Sequence, residues 1–163
     1  MASWIVRAGS EDEYLDDFLN EGIAAIGWRD LRGQVQIQGI DFNDLYQTLQ
    51  TNYKEESNHT IGAFTSQIHA FANKLAGGDF ILVPSGKGKD ISVGYLIGEV
   101  IQDPNNSKFL ASRKVHWLAK LQDRRTFFDL VKGTSAFENP RTVVQTAINH
   151  HDMRKYVEKI IGE

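Results

Sequence analysis

Residues 80–121 read FILVPSGKGKDISVGYLIGEVIQDPNNSKFLASRKVHWLAKL, and this run decides the fold class. Phe80-Ile81-Leu82-Val83-Pro84 is an apolar stretch of strand length. It lies between the turn residues Gly77-Gly78-Asp79 and Ser85-Gly86-Lys87-Gly88-Lys89-Asp90, a segment of hairpin-loop composition. Residues 91–101 predict a second strand. Asp103-Pro104-Asn105-Asn106-Ser107 predicts a turn, and residues 109–121 a third strand with basic side chains interleaved. Strands joined by such short connections pair antiparallel.

Outward from this run the pattern changes. Residues 4–8 predict an opening strand, broken by Gly9-Ser10. Ser10 and Glu13 match a capping box, and Tyr14, Leu15, Phe18 and Leu19 follow at helical spacing. Residues 23–28, IAAIGW, predict a buried strand, and residues 29–39 a loop or in part a ribbon. Apolar stripes predict helices over 41–53 and 60–75. Past the hairpins, residues 126–131 predict a short helix, 142–146 a last strand and 152–161 a closing helix. Strand, helix, strand, helix, helix and then hairpin-linked strands make an α+β protein rather than a doubly wound α/β one. No repeat and no long linker divides the chain, so residues 1–163 are expected to form a single domain.

The chain has 163 residues, 41% hydrophobic and 24% charged, which suits a globular domain with a real core. It has no cysteine, which excludes disulfides, thiolate nucleophiles and cysteine-built zinc sites. The N-terminus lacks a signal-peptide pattern, and the apolar runs of about five residues fall far short of the roughly 20 that span a bilayer. The expected location is cytoplasmic, with no membrane partner. Net charge is −3 but unevenly spread. Residues 10–58 hold 11 acidic and 3 basic side chains, and residues 85–125 hold 8 basic and 4 acidic. Such asymmetry lets one face hold an anion, although solvated charged faces look the same in sequence.

Catalytic signatures are missing. Gly86-x-Gly88 opens no helix, and neither a phosphate loop nor a nucleophile elbow occurs. His59, His69, His116, His150 and His151 show no zinc-ligand spacing, and adjacent residues such as His150 and His151 point apart on a regular element. Asp79 and Glu99 lie near strands without a Glu-x-Lys nuclease pattern, which leaves only a hydrolase whose carboxylates meet in space. The expectation is a protein that is not an enzyme and uses no metal and no cofactor. The aromatics point to binding. Trp4, Trp28 and Trp117 fall on or at the ends of predicted strands. Trp28, followed by Arg29-Asp30, suits a stacking plate for a flat ring, and each of the three also suits a core position.

WIVRAG at 4–9 and GIAAIGW at 22–28, with an acidic-aromatic helix between them, resemble the opening of a PUA-like domain of the EVE and YTH type. Ile61-Gly62 leading into a helix with Phe71, GGDFILVP at 77–84, VGYLIGEV at 93–100, Arg113-Lys114-Val115-His116-Trp117 and Ser135-Ala136-Phe137 follow in the same order. The set is most similar to the N-terminal module of Mrr-type modification-dependent restriction proteins and covers nearly the whole chain. The resemblance implies a small mixed β-barrel flanked by helices that takes one flipped, often methylated, nucleobase into an aromatic pocket. By position it implies Trp28, then Trp4, as stacking walls, Asp30 and Ser66 for base-edge hydrogen bonds and Arg7 for phosphate or base. Lys87, Lys89, Arg113, Lys114, Arg124 and Arg125 are the candidates for backbone phosphates. Two positions depart from the family: Arg29-Asp30-Leu31 follows IGW, and His69-Ala70 stands where a tryptophan is usual. The implied function is a non-catalytic reader of a modified base in DNA, the sensor of a restriction or defence system, partnered with nucleic acid and with a nuclease domain or subunit. An RNA-binding PUA-like module and a protein- or small-molecule-interaction domain are the alternatives.

Overall fold

The computed structural model describes residues 1–162. In chain order the elements are β1 (Ser3–Val6), α1 (Leu15–Glu21), β2 (Ile23–Ile26), α2 (Phe42–Asn52), α3 (Asn58–Asn73), β3 (Phe80–Ser85), β4 (Asp90–Leu96), β5 (Ala111–Asp123), α4 (Arg124–Leu130), β6 (Val143–Gln145) and α5 (His150–Gly162). The strands form one six-stranded sheet in the order β2-β5-β4-β3-β1-β6. The β3–β4–β5 hairpins are antiparallel, as are β2 with β5 and β1 with β6. Among the described residues only β1 with β3 is parallel, Trp4 lying opposite Ile81. The protein is therefore α+β, with a curled, half-barrel sheet flanked by helices.

Both faces of β1 and β3 are covered, which is why FILV is apolar at every position. Trp4, Val6, Ile81 and Val83 point into one core with Phe18, Leu49, Ile68 and Phe71. Ile5, Phe80 and Leu82 point into a second core with Phe127, Phe137, Met153 and Tyr156. The first core is roofed by α1, α2 and α3, the second by α4 and α5.

Several expected boundaries move. The strand expected over 91–101 ends at Leu96, and beyond it only Ile101 bridges back to Ser112. The strand expected over 23–28 ends at Ile26. The capping box does not form. Gly9 takes φ +82, where an added Cβ would lie 2.6 Å from the Glu13 side chain and 2.7 Å from the Tyr14 ring, so the turn requires glycine. Ser10–Asp12 then make a tight turn with Glu11 and Asp12 at left-handed φ of 53 and 59, in which the Glu13 amide donates to the Ser10 backbone carbonyl and not to its hydroxyl. The α-helix begins only at Leu15, and the Tyr14 amide donates to Ala8 at 2.8 Å.

Candidate nucleic-acid interface

β2 delivers the chain to Gly27-Trp28, and there the backbone turns sharply. Trp28 adopts φ 32, ψ 48, the left-handed region that a bulky residue enters only at a cost. Its carbonyl accepts the Leu31 amide at 3.0 Å, closing a 3-10 turn over Arg29–Leu31. Its indole meets Phe64 of α3 edge-on, with ring centroids 5.7 Å apart. Phe64 in turn meets Tyr53 at 5.8 Å. The Tyr53 phenol is pushed up to about 12, by burial first and by the nearby Asp30 charge second.

A recess of about 330 Å³ opens beside this stack, lined by Arg7, Glu13, Tyr14, Trp28, Asp30 and Thr142 among others. Tyr14 is braced by an edge-on contact with Phe109 at 4.9 Å. Thr142 is fixed from behind, because the buried Gln67 side-chain carbonyl accepts the Thr142 amide at 2.7 Å and the Val143 amide at 3.1 Å. The volume lies at the lower end of small-molecule pockets, roughly 300 Å³ and upward, and suits one planar ring system. Two aromatic side chains, a carboxylate pair and a guanidinium together offer stacking area and hydrogen-bonding edges.

The structure brings Trp28, Asp30 and Arg7 to this recess. It does not bring Trp4, which is 5% exposed in the first core and whose Nε1 donates to Asp79 at 3.2 Å. Pairing β1 alongside β3 turns that indole inward, so Trp4 is a core residue and not a pocket wall. Ser66 is exposed on α3 and does not line the recess. Arg113 is corrected as well. It is 6% exposed, and it donates to the carbonyls of Gly98 at 3.0 Å, Phe71 at 3.0 Å and Leu75 at 2.6 Å. Burial lowers its pKa, with Glu99 and Asp79 opposing the shift. Buried as well as bonded to three carbonyls, this guanidinium ties β5 to the end of α3 and does not reach a phosphate. Lys87 and Lys89 are exposed on the β3–β4 hairpin and Lys114 on β5. Arg125 is exposed and paired with Asp123 at 2.9 Å. Arg124 donates to the Gly88 carbonyl at 3.2 Å and lies 4.3 Å over the Phe128 ring.

Tyr14 and Thr142 escaped the sequence reading. The helical spacing of Tyr14 with Leu15, Phe18 and Leu19 predicts a place in the first helix, whereas the turn at Ser10–Asp12 leaves it ahead of the helix in the recess wall. Thr142 carries no motif, and its place follows from the distant contact with Gln67. His150 and His151 open α5, and among the described residues no three His, Asp or Glu side chains gather as a metal would need. No helix among the described residues is long and apolar enough to cross a membrane.

A family model described as a domain of unknown function (DUF8426) matches residues 4–145. No curated protein sequence matches the chain. Among solved structures, it is similar to the YTH domain of the Zygosaccharomyces rouxii MRB1 protein, solved in complex with N6-methyladenosine RNA. That match has a TM-score of 0.53 and 11% identity, and covers 99% of this chain and 85% of that one. A second similar structure, the YTH domain-containing protein mmi1 solved with RNA, gives a TM-score of 0.47 at 8% identity, covering 99% of this chain and 87% of that one. The chain thus shares the YTH-domain fold.

Proposed function

We propose that this chain, which belongs to the DUF8426 family, is a non-catalytic module that takes one modified nucleobase of a nucleic acid into the Trp28–Tyr14 recess. The observation that carries the reading is the placement of Trp28. Its ring is held beside a base-sized recess by a strained backbone and by Phe64. Strain of this kind persists where the surrounding structure imposes it, and it gathers at ligand sites. Stacking contributes about 1–3 kcal/mol per base, enough to offset much of the few kcal/mol spent on unstacking it from its strand. A methyl group on the base adds apolar area that the aromatic walls remove from water. Asp30 and Glu13 accept hydrogen bonds from exocyclic N–H groups on the base edge.

Support for nucleic acid comes from the shared fold, because the similar YTH domain was solved with N6-methyladenosine RNA. RNA is accordingly the first ligand to test. The restriction-module resemblance favours the DNA form of the same reading, a sensor in a defence system with a nuclease partner, and supplies the second arm. The experiment measures binding of wild type and Trp28→Ala to matched single-stranded RNA and duplex DNA at low salt, with and without methylated adenine or cytosine. The expected result is preference for one modified strand, with affinity falling about tenfold to a hundredfold in a still-folded Trp28→Ala, the equivalent of about 1–3 kcal/mol of stacking. Absence of binding to every strand, or a modified-base preference that survives Trp28→Ala, overturns the reading.

A further inference from the structure

A second recess, of about 770 Å³, lies at the β3–β4 hairpin and is lined by Arg7, Ser85, Lys87 and Arg124 together with Glu11 and Asp12. Its polar groups are under-used. Ser85 is 3% exposed, and its hydroxyl is buried with no hydrogen-bond partner. The Arg124 Nε is buried and equally unpartnered. Buried donors are rarely left unmade, because each costs the full price of losing water.

The charges show the same incompleteness. Among the described residues, Arg7, Lys87 and Arg124 form no ion pair. Asp12 is partly spent, since one of its oxygens accepts the Gly86 amide at 2.9 Å. Arg7 is clamped by the carbonyls of Phe137 at 3.1 Å, Asn139 at 2.8 Å and Arg141 at 3.1 Å, through Nε and Nη2. Arg124 is clamped at its other end by Gly88, where any Cβ would fall 2.7 Å from its Nη1. Burial, and then the Arg124 charge, push the Arg7 pKa below the ordinary guanidinium range. Two fixed cations therefore repel each other, and although Glu11 and Asp12 line the same recess neither is paired with them, so an anion seated between the guanidinium groups relieves that repulsion.

We propose that this recess is a phosphate seat, in which Arg7, Lys87 and Arg124 hold one phosphate group and the Ser85 hydroxyl and Arg124 Nε–H donate hydrogen bonds to its oxygens. Arg7 also lines the Trp28 recess, so the two sites adjoin through one side chain. The ligand's identity as a nucleic-acid phosphate rests on the base-reader reading; the seat itself does not. A phosphodiester and a free phosphate group share this chemistry, and the experiment separates them.

The test follows the Arg124 Nε–H and hairpin amide resonances by NMR during titration with inorganic phosphate, beside strand-binding assays at several salt concentrations. Three variants are compared with wild type. Ser85→Ala removes a hydroxyl that has no internal partner, Lys87→Asn suits the left-handed φ of 57 at that exposed position, and Trp28→Ala leaves the seat untouched. Inorganic phosphate is expected to shift the Arg124 and hairpin signals in wild type and in Trp28→Ala, and to shift them several-fold less in folded Ser85→Ala. Lys87→Asn is expected to weaken strand binding several-fold and to lower the salt slope by about one, with the modified-base preference intact. Phosphate shifts without any strand binding support the seat with a free phosphate group as its source, and overturn only the base reader. Unmoved Arg124 signals, or a Ser85→Ala response equal to that of wild type, overturn the seat.

Discussion

The Trp4 indole donates to the Asp79 carboxylate at 3.2 Å, joining the first strand of the chain to the turn that precedes the third. Asp79 is 5% exposed, and it also accepts the backbone amides of Ala2 at 3.1 Å and Ala76 at 3.0 Å. Three N–H groups converge on one buried carboxylate, which makes Asp79 a structural joint and accounts for a residue that had stood as a hydrolase candidate.

Asp79→Asn replaces one acceptor oxygen by a donor that faces N–H groups. Charge-assisted bonds contribute about 1.5–3 kcal/mol each, so the variant is expected to lose about 2 kcal/mol of stability in urea melts. Glu99→Gln keeps an oxygen to accept from Gln38 and gives up the attraction of an exposed carboxylate for Arg113, so it is expected to stay within about 1 kcal/mol of wild type.

Arg113→Met keeps much of the side-chain volume and leaves the Phe71, Leu75 and Gly98 carbonyls without their donor. A loss of about 3 kcal/mol is expected in chemical denaturation. The neighbouring Lys114→Met, on an exposed position, is expected to change stability by less than about 0.5 kcal/mol.

Tyr53 supplies a pH test. Its phenol is pushed up to about 12 in the fold against an ordinary 10.0. Between those values the unfolded chain releases a proton that the folded chain keeps, so unfolding gains and stability falls as pH rises through that window. Absorbance titration near 295 nm is expected to lose a late-ionising phenol in Tyr53→Phe. Asp30→Asn is expected to bring that transition earlier, because it removes the nearby negative charge.

Phe64 props Trp28 without lining the recess. Phe64→Leu is expected to weaken binding of a modified strand by about threefold to tenfold, the scale of one lost aromatic pair. Trp28 fluorescence is expected to shift with it, and the fold to persist by circular dichroism.

The hairpin-linked strands and the helical stripes were legible because period and turn chemistry are local properties. The Phe80–Pro84 run and the α3 stripe through Ile61, Ile68 and Phe71 appear in the structure where the pattern puts them. Trp28 and Asp30 were legible as neighbours at a strand mouth, and the structure sets both at one recess. Trp4 and Arg113 were not legible, because their environments are made by partners far along the chain. Asp79 lies 75 positions from Trp4, and Phe71 lies 42 from Arg113. Side chains that end in an indole or a guanidinium look equally fit for a ligand or for the interior until those partners are known. The first helix start was misread for the opposite reason: Gly9 at φ +82 lets Ser10–Asp12 close a tighter turn than the capping pattern supposes.

The position of β1 between β3 and β6 bears on how the molecule is assembled during synthesis. The Ser3 and Thr146 hydroxyls bond across 143 positions of chain. β1, made before β3 and β6, gains both its neighbours only once residue 145 has been made. Until β6 emerges, β1 keeps an open edge that invites pairing with other nascent chains. Contacts so distant in sequence must close long loops of chain before they are rewarded, which slows folding relative to the local β3–β4 hairpin. Residues 3–6 are therefore a segment that gains from shelter by a chaperone until residues 143–145 have been translated.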